Sequence, residues 1–195
     1  TLFLLNAGKK EYKPELLHLP NYLTAKADPA VLRPGKMGKL VVTLKSNQLH
    51  GLGLTQSSVY LSRFAGDRVN KDNELGISVT LLPNFTAAEL NSPQAPLAEM
   101  ATSIDLGAFN GKSKLKGTVV LTNKGQSPLV INMLQVYNPG ISVALSKTTL
   151  RPGESTDMKI VVSSAVERFR GSRKVLLITN DPRHPKISLD VITKK

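Results

Sequence analysis

The chain has 195 residues, 41% of them hydrophobic and 21% charged, and contains neither Cys nor Trp. It is ordinary globular material in which disulfides, thiolate nucleophiles and zinc–thiolate sites are excluded. The formal charge is +12, spread over both halves as +5 through residue 88 and +7 beyond it, which favours anionic partners and excludes a basic tail on a neutral body.

The chain begins with Thr, and the stretch Leu2-Phe3-Leu4-Leu5 lacks the basic leader and cleavage site of a signal peptide. The expectation is that a targeting segment has been removed. Period-two alternation of apolar residues predicts strands at Thr1–Leu5, Glu15–Leu19, Leu23–Ala27, Lys39–Lys45, Leu54–Ser62 and Ile77–Leu82. Between the last two lies a long insertion, Phe64–Gly76, with Asp67, Asp72 and Glu74 close together. Closely spaced oxygen ligands can hold Ca²⁺, but Arg68 and Lys71 stand among these carboxylates and the EF-hand order is absent. A solvated loop is the favoured reading. Long loops bind more often than strands do, so Arg63, Asp67, Arg68, Lys71 and Asp72 form a candidate binding loop. Residues 86–102 are rich in Ala, Pro, Ser and Asn without β alternation; Ala87-Ala88-Glu89-Leu90 suits one helical turn, and Pro93 and Pro96 suit an extended spacer. The domain expectations are therefore 1–88, a linker over 89–102, and 103–195.

In the second half, strands are predicted at Ile104–Phe109, Leu115–Thr122, Leu129–Val136, Ile141–Leu145, Thr156–Ser163, Arg173–Thr179 and Ile187–Ile192. Pro and Gly punctuate them, at Asn138-Pro139-Gly140 and Arg151-Pro152-Gly153 among others. Lys112, Lys114 and Lys116 alternate, which places them on one solvent face. The densest basic cluster, Arg168-Phe169-Arg170-Gly171-Ser172-Arg173-Lys174, makes Arg168, Arg170, Arg173 and Lys174 a candidate contact surface for nucleic acid. The favoured reading is a charged hairpin, since one aromatic is a thin stacking platform. His18, His50 and His184 share no metal-ligand spacing, and no phosphate loop, nucleophile elbow or His-Glu-x-x-His is present.

The two halves repeat one another. Leu32-Arg33-Pro34-Gly35 returns as Leu150-Arg151-Pro152-Gly153, and alternating apolar positions flank both copies in register. Leu4-Leu5-Asn6-Ala7-Gly8 matches Leu121-Thr122-Asn123-Lys124-Gly125 with a one-residue slip. The first half has no counterpart of Ser103–Phe109, so two expectations stand for its opening strand: an upstream segment of the same protein completes the domain, or the edge is left open. Seven short strands with regular turns predict an immunoglobulin-like sandwich, here two in tandem.

Ile104-Asp105-Leu106-Gly107, Leu121-Thr122-Asn123-Lys124-Gly125, Pro128-Leu129-Val130-Ile131, Leu150-Arg151-Pro152-Gly153-Glu154 and Ile178-Thr179-Asn180-Asp181-Pro182 together resemble a Hydin-type immunoglobulin-like domain, a group related to the major sperm protein fold. Many bacterial relatives carry a cysteine motif after the third strand; Tyr22-Leu23-Thr24 and Gly140-Ile141-Ser142 stand there instead, so no thiol chemistry carries over. The resemblance implies an exported, periplasmic or cell-surface protein. The function expected is non-catalytic binding or scaffolding in the bacterial cell envelope, with another protein or an envelope component as partner and no cofactor. The alternative is a basic module for nucleic acid or acidic glycans.

Overall fold

A computed structural model of the chain describes residues 1–136, 138–165 and 173–194. It divides into two compact units, Thr1–Leu81 and Leu82–Lys195. The first unit holds β1 (Leu2–Leu5), β2 (Glu15–Leu17), β3 (Leu23–Asp28), β4 (Met37–Leu44), β5 (Gly53–Ser62) and β6 (Glu74–Leu81). They form two three-stranded antiparallel sheets, in orders β1-β4-β3 and β2-β5-β6. Leu16, Leu40 and Val59 form its buried apolar cluster, with Leu2, Leu4, Leu75 and Ile77 half-buried against it, and Tyr22, Leu23 and Leu32 are buried as well.

The second unit begins with α1 (Ala87–Leu90), whose end is fixed by a capping box between Thr86 and Glu89. Among the described residues nine strands follow: β7 (Ala98–Glu99), β8 (Ser103–Ala108), β9 (Lys114–Asn123), β10 (Leu129–Val136), β11 (Ile141–Leu145), β12 (Thr149–Leu150), β13 (Ser155–Ser163), β14 (Lys174–Thr179) and β15 (Lys186–Lys194). They form a five-stranded sheet, β12-β10-β14-β15-β8, and a four-stranded sheet, β11-β13-β9-β7. Alternation decides which faces go inward. On β13, Thr156, Met158, Ile160 and Val162 are buried while Asp157 and Lys159 are exposed. Leu121, Leu129, Leu150, Ile160, Leu177 and Leu189 are all fully buried in one core.

The repeat holds at the level of strand register. Leu2 pairs with Leu40 and Ala25 with Val42, as Val119 pairs with Met158 and Val143 with Ile160. One buried Asn in each unit explains why the Asn-x-Gly and Leu-Arg-Pro-Gly motifs travel together. Asn123 donates its amide to Ser127 O (2.8 Å) and Leu150 O (3.0 Å), and its Oδ1 accepts from Gly125 N (2.9 Å). Asn6 donates to Lys10 O (2.8 Å) and Leu32 O (2.8 Å), and accepts from Gly8 N (2.9 Å). The backbone of each Asn then bonds the Pro-Gly turn, Gly35 N to Asn6 O and Gly153 N to Asn123 O, both 2.8 Å. Gly35 and Gly153 sit at φ +68° and +76°, a conformation that favours Gly. A buried amide needs all these partners, so the motif residues are fixed by hydrogen-bond satisfaction.

The segment 89–102, a spacer by composition, contains structure: residues 94–100 run as an arm along the second unit, and the compact units part between Leu81 and Leu82. Its Pro-rich composition hid a strand because β7 contributes two residues, too short for alternation to register. The arm lies against Gly125 and bonds Lys124 N to Leu97 O (2.8 Å) and Gln126 N to Ala95 O (3.2 Å). Within residues 1–81 nothing corresponds to β7 beside β9, nor to β8 beside β15.

Candidate functional site

The candidate binding loop folds around one carboxylate. Asp67, whose side chain is 3% exposed, accepts from Arg63 Nε (2.8 Å) and Nη2 (3.1 Å) in a bidentate fork. Arg63 N (3.0 Å) and Asn73 Nδ2 (3.3 Å) complete its shell. The Arg63 side chain and backbone N–H hold the carboxyl far below its ordinary value of 3.8. Asn70 and Asn73 cap a 3₁₀ turn at Lys71–Asn73 reciprocally, and Asn73 also donates to Arg68 O (3.1 Å). The oxygens of Asp67 are therefore spent on the loop itself, while Arg68, Lys71 and Asp72 point to solvent around it. Among the described residues no cluster of His, Asp and Glu is placed to hold a metal ion.

The bonded loop presents Arg63, Phe64 and Ala65 to an open groove of about 790 Å³, a volume within the range of ligand clefts. The Arg63 guanidinium stands 5.9 Å from the Phe64 ring centroid. The opposite wall is Leu4, Leu5 and the turn Asn6–Tyr12, with Leu61 at the floor; Lys9, Lys10 and Arg63 outnumber the single carboxylate, Glu11. Apolar exposure continues beyond the groove. Phe3 (76%) and Leu5 (59%) share the outward face of β1, and Met37 (69%), the cross-strand partner of Leu5, extends it on β4 together with Val41 (36%). The corresponding outward face of the second unit carries Val120 beside Thr122, Ser155, Asp157 and Lys159.

The other sequence candidates do not converge. Arg168 and Arg170 lie outside the described residues. Lys174 is paired with Asp190 (2.7 Å), and Arg173 is half-buried, its Nε without a hydrogen-bond partner among the described residues. Lys112, Lys114 and Lys116 are all exposed; Lys112 sits in the turn before β9 rather than in the strand. His18 packs edge-on against Tyr60 at 5.4 Å. His184 Nδ1 meets Asp181 Oδ2 at 3.0 Å, the contact most like part of a catalytic dyad. Asp181 is fully buried, however, and its oxygens also accept from Ala98 N (2.9 Å) and Arg183 N (2.9 Å), so it ties the arm to the turn before β15. Sequence reading missed the groove because its walls are residues remote in the chain; the one available signal was the absent counterpart of Ser103–Phe109.

Residues 96–192 match the sequence model of the HYDIN/CFA65/VesB-like, Ig-like domain family. A solved protein of unknown function from Porphyromonas gingivalis W83 is 21% identical, with 98% of this chain and 88% of that chain covered and a TM-score of 0.66. The Vibrio cholerae VesB protease is 13% identical over 89% of this chain and 49% of that one, with a TM-score of 0.43. No curated protein matches the sequence. At these identities the structural likeness speaks to the fold alone.

Proposed function

With its second unit a member of the HYDIN/CFA65/VesB-like immunoglobulin-like family, we propose that the chain is a non-catalytic binding or scaffold protein of the bacterial cell envelope. The observation carrying this reading is the exposed apolar side chains of the first unit: Leu5 and Phe64 line the open groove, and Phe3 and Met37 stand exposed on the face that Leu5 shares, with Lys39 among them. Such patches on a folded protein mark interaction sites, whereas scattered single apolar residues do not. The partner is another protein or an envelope component that covers this face.

The test is photo-crosslinking in the expressing cell, with a photoreactive phenylalanine analogue at Phe3 or Phe64 and, as control, at Val120. Val120 is 51% exposed and occupies in the second unit the place of Phe3 in the first. Discrete adducts from positions 3 and 64 but not from 120 support the proposal. Equal labelling from 120, or none from 3 and 64, counts against it. The charge of +12 favours a second reading, a nucleic-acid or acidic-glycan binder. Oligonucleotide binding that weakens steeply with salt would promote it over the first.

A further inference from the structure

Several lysines of the second unit are neutralised in place. On the five-stranded sheet Lys174 pairs with Asp190 (2.7 Å) and Lys194 with Asp105 (3.2 Å). Elsewhere Lys147 pairs with Glu154, and Lys124 with Glu99 (4.0 Å). Lys112, Lys114, Lys116 and Lys159 differ. All four are exposed, and among the described residues none is ion-paired.

These four belong to one place, the outward face of the four-stranded sheet. Leu115 is buried, so Lys114 and Lys116 point outward from β9; Met158 and Ile160 are buried, so Lys159 points outward from β13. Across the two strands Lys114 stands opposite Ser163, Lys116 opposite Val161, and Thr118 opposite Lys159. Lys114 and Lys116 are two residues apart, about 7 Å along the strand. Lys116 and Lys159 are diagonal neighbours, about 7–8 Å apart. The three form a strip of near-even steps, with Lys112 in the turn at its end, where Lys112 N bonds Phe109 O (2.8 Å). Hydroxyls flank it at Thr118, Ser163 and, on β11, Ser142. The sheet's carboxylates stand toward the other end, Asp157 opposite Val120 and Glu99 opposite Thr122. Among the described residues the outward positions of these strands hold no aromatic and no Arg.

We propose that this strip binds an acidic polysaccharide, a glycan that carries carboxylates at regular intervals. Like charges held side by side repel one another, and a linear polyanion relieves several of them at once while releasing its counterions. Lys is a hydrated point charge on a flexible stem and suits spaced single carboxylates, whereas Arg suits bidentate phosphate. The hydroxyls of Thr118, Ser142 and Ser163 both donate and accept, as sugar hydroxyls do. Nucleic acid fits less well. Its bases find no ring here to stack on, and the broad face of a four-stranded sheet does not enter a groove as a helix or two-stranded ribbon does. This inference rests on the charge-based reading above, and gives it a place and a ligand. It concerns a face of the second unit, so crosslinking at Phe3 and Phe64 is independent of it.

The test uses the full chain and a fluorescein-labelled polygalacturonate oligomer, with labelled dextran as the uncharged control, by fluorescence anisotropy over a salt series. Saturable binding that weakens with salt is expected for the uronate, and none for dextran. Lys114→Gln, Lys116→Gln and Lys159→Gln combined should lower the affinity by about tenfold or more. Lys45→Gln, Arg183→Gln and Lys186→Gln combined remove the same charge from exposed positions elsewhere, and should change it by less than about twofold. Asp157→Asn removes the carboxylate two residues from Lys159 and should tighten binding. No saturable uronate binding, equal losses in the two triple variants, or no tightening in Asp157→Asn would each overturn the proposal. So would tighter binding of single-stranded or duplex oligonucleotides of equal charge, which would leave the charge-based reading standing and give its surface to nucleic acid.

Discussion

One substitution made at two equivalent positions tests the difference between the units. Gly125→Ala places a methyl 2.4 Å from Ala95 O and Leu97 N and 2.6 Å from the Pro96 carbonyl carbon, all backbone atoms. Comfortable contact begins near 3.5 Å, so the arm must retreat by about 1 Å. A retreat of that size breaks Lys124 N–Leu97 O (2.8 Å), Gln126 N–Ala95 O (3.2 Å) and Leu97 N–Asn123 Oδ1 (3.3 Å), and pulls Ala98 N from the buried Asp181 carboxylate (2.9 Å). Neutral bonds contribute about 1 kcal/mol each and one to a carboxylate about 1.5–3 kcal/mol, so after some recovered chain entropy the loss is about 3–5 kcal/mol. Gly8→Ala meets one side-chain oxygen at 3.1 Å and displaces no backbone. The narrower unfolded ensemble of Ala offsets that contact by about 0.4–1 kcal/mol, leaving it near neutral. Urea denaturation followed by far-UV circular dichroism gives the two values, and amide exchange locates the Gly125→Ala loss at β7 and β9. Equal costs for the two variants, or a Gly125→Ala cost below about 1 kcal/mol, would refute the packing asymmetry.

Asn123→Ala strands the buried Leu150 carbonyl and the Gly125 amide, and should cost on the order of 3 kcal/mol; Asn6→Ala, beside the open groove, should cost less, by the same denaturation assay. Ile160→Ala and Leu177→Ala, at fully buried sites, should each cost about 2–5 kcal/mol. Ala at Lys112, Lys114 or Lys116 should fall within about ±0.5 kcal/mol, and the inverse pattern would mean the strand register is shifted by one residue. The loop around Asp67 should resist acid. Because its folded pKa lies below 3.8, its stabilisation is present above that pH and is lost only as pH falls toward the lower folded value. Protection of the Arg63 amide should therefore persist below pH 3.8 in the native chain, and its loss near pH 4–5 would contradict the bidentate pairing.

Much of the fold was legible because period-two alternation and duplicated turns are local signals. Ile104, Ile160 and Leu177 sit where alternation puts them, and the Pro-Gly turns fall at strand ends. β7 and β12 were invisible because two residues cannot express a period. Ala95 and Leu97 read as spacer by composition, yet their carbonyls accept backbone hydrogen bonds from Gln126 and Lys124, and composition carries no record of such bonds. Asp67 was legible as an acidic residue in a long loop but not as the loop's organiser, because its partners Arg63 and Asn73 are a clamp only once the chain has turned. The groove was legible only as a deficit in the alignment of the two halves.

That deficit changes how the edges should be judged. Natural sheets defend their edges with very short strands, bulges, charges or Pro, since an open row of N–H and C=O groups recruits other chains. The second unit follows this practice at three of its four edges: β7 and β12 are two residues long, and β8 carries Asp105 and a register break where it meets the end of β15, whereas β11 is Ile-Ser-Val-Ala-Leu. The first unit does so at β2, three residues with Glu15, and at β3, with Lys26 and Asp28, but not at its other two edges. β1 is Leu-Phe-Leu-Leu, with no charge and no Pro, and β6 after Glu74 runs Leu-Gly-Ile-Ser-Val-Thr-Leu, equally undefended. Its buried apolar residues are Leu16, Tyr22, Leu23, Leu32, Leu40 and Val59, of which Leu16, Leu40 and Val59 form one cluster, whereas the cluster of the second unit has sixteen among the described residues. Each of these two edges matches a place that the same fold fills elsewhere in the chain, β1 that of β9 beside β7 and β6 that of β15 beside β8. Leu2, Leu4, Ile77 and Val79 are half-buried along these edges, and burying the apolar area they still expose, at about 25 cal/mol per Å², would stabilise any strand that paired there.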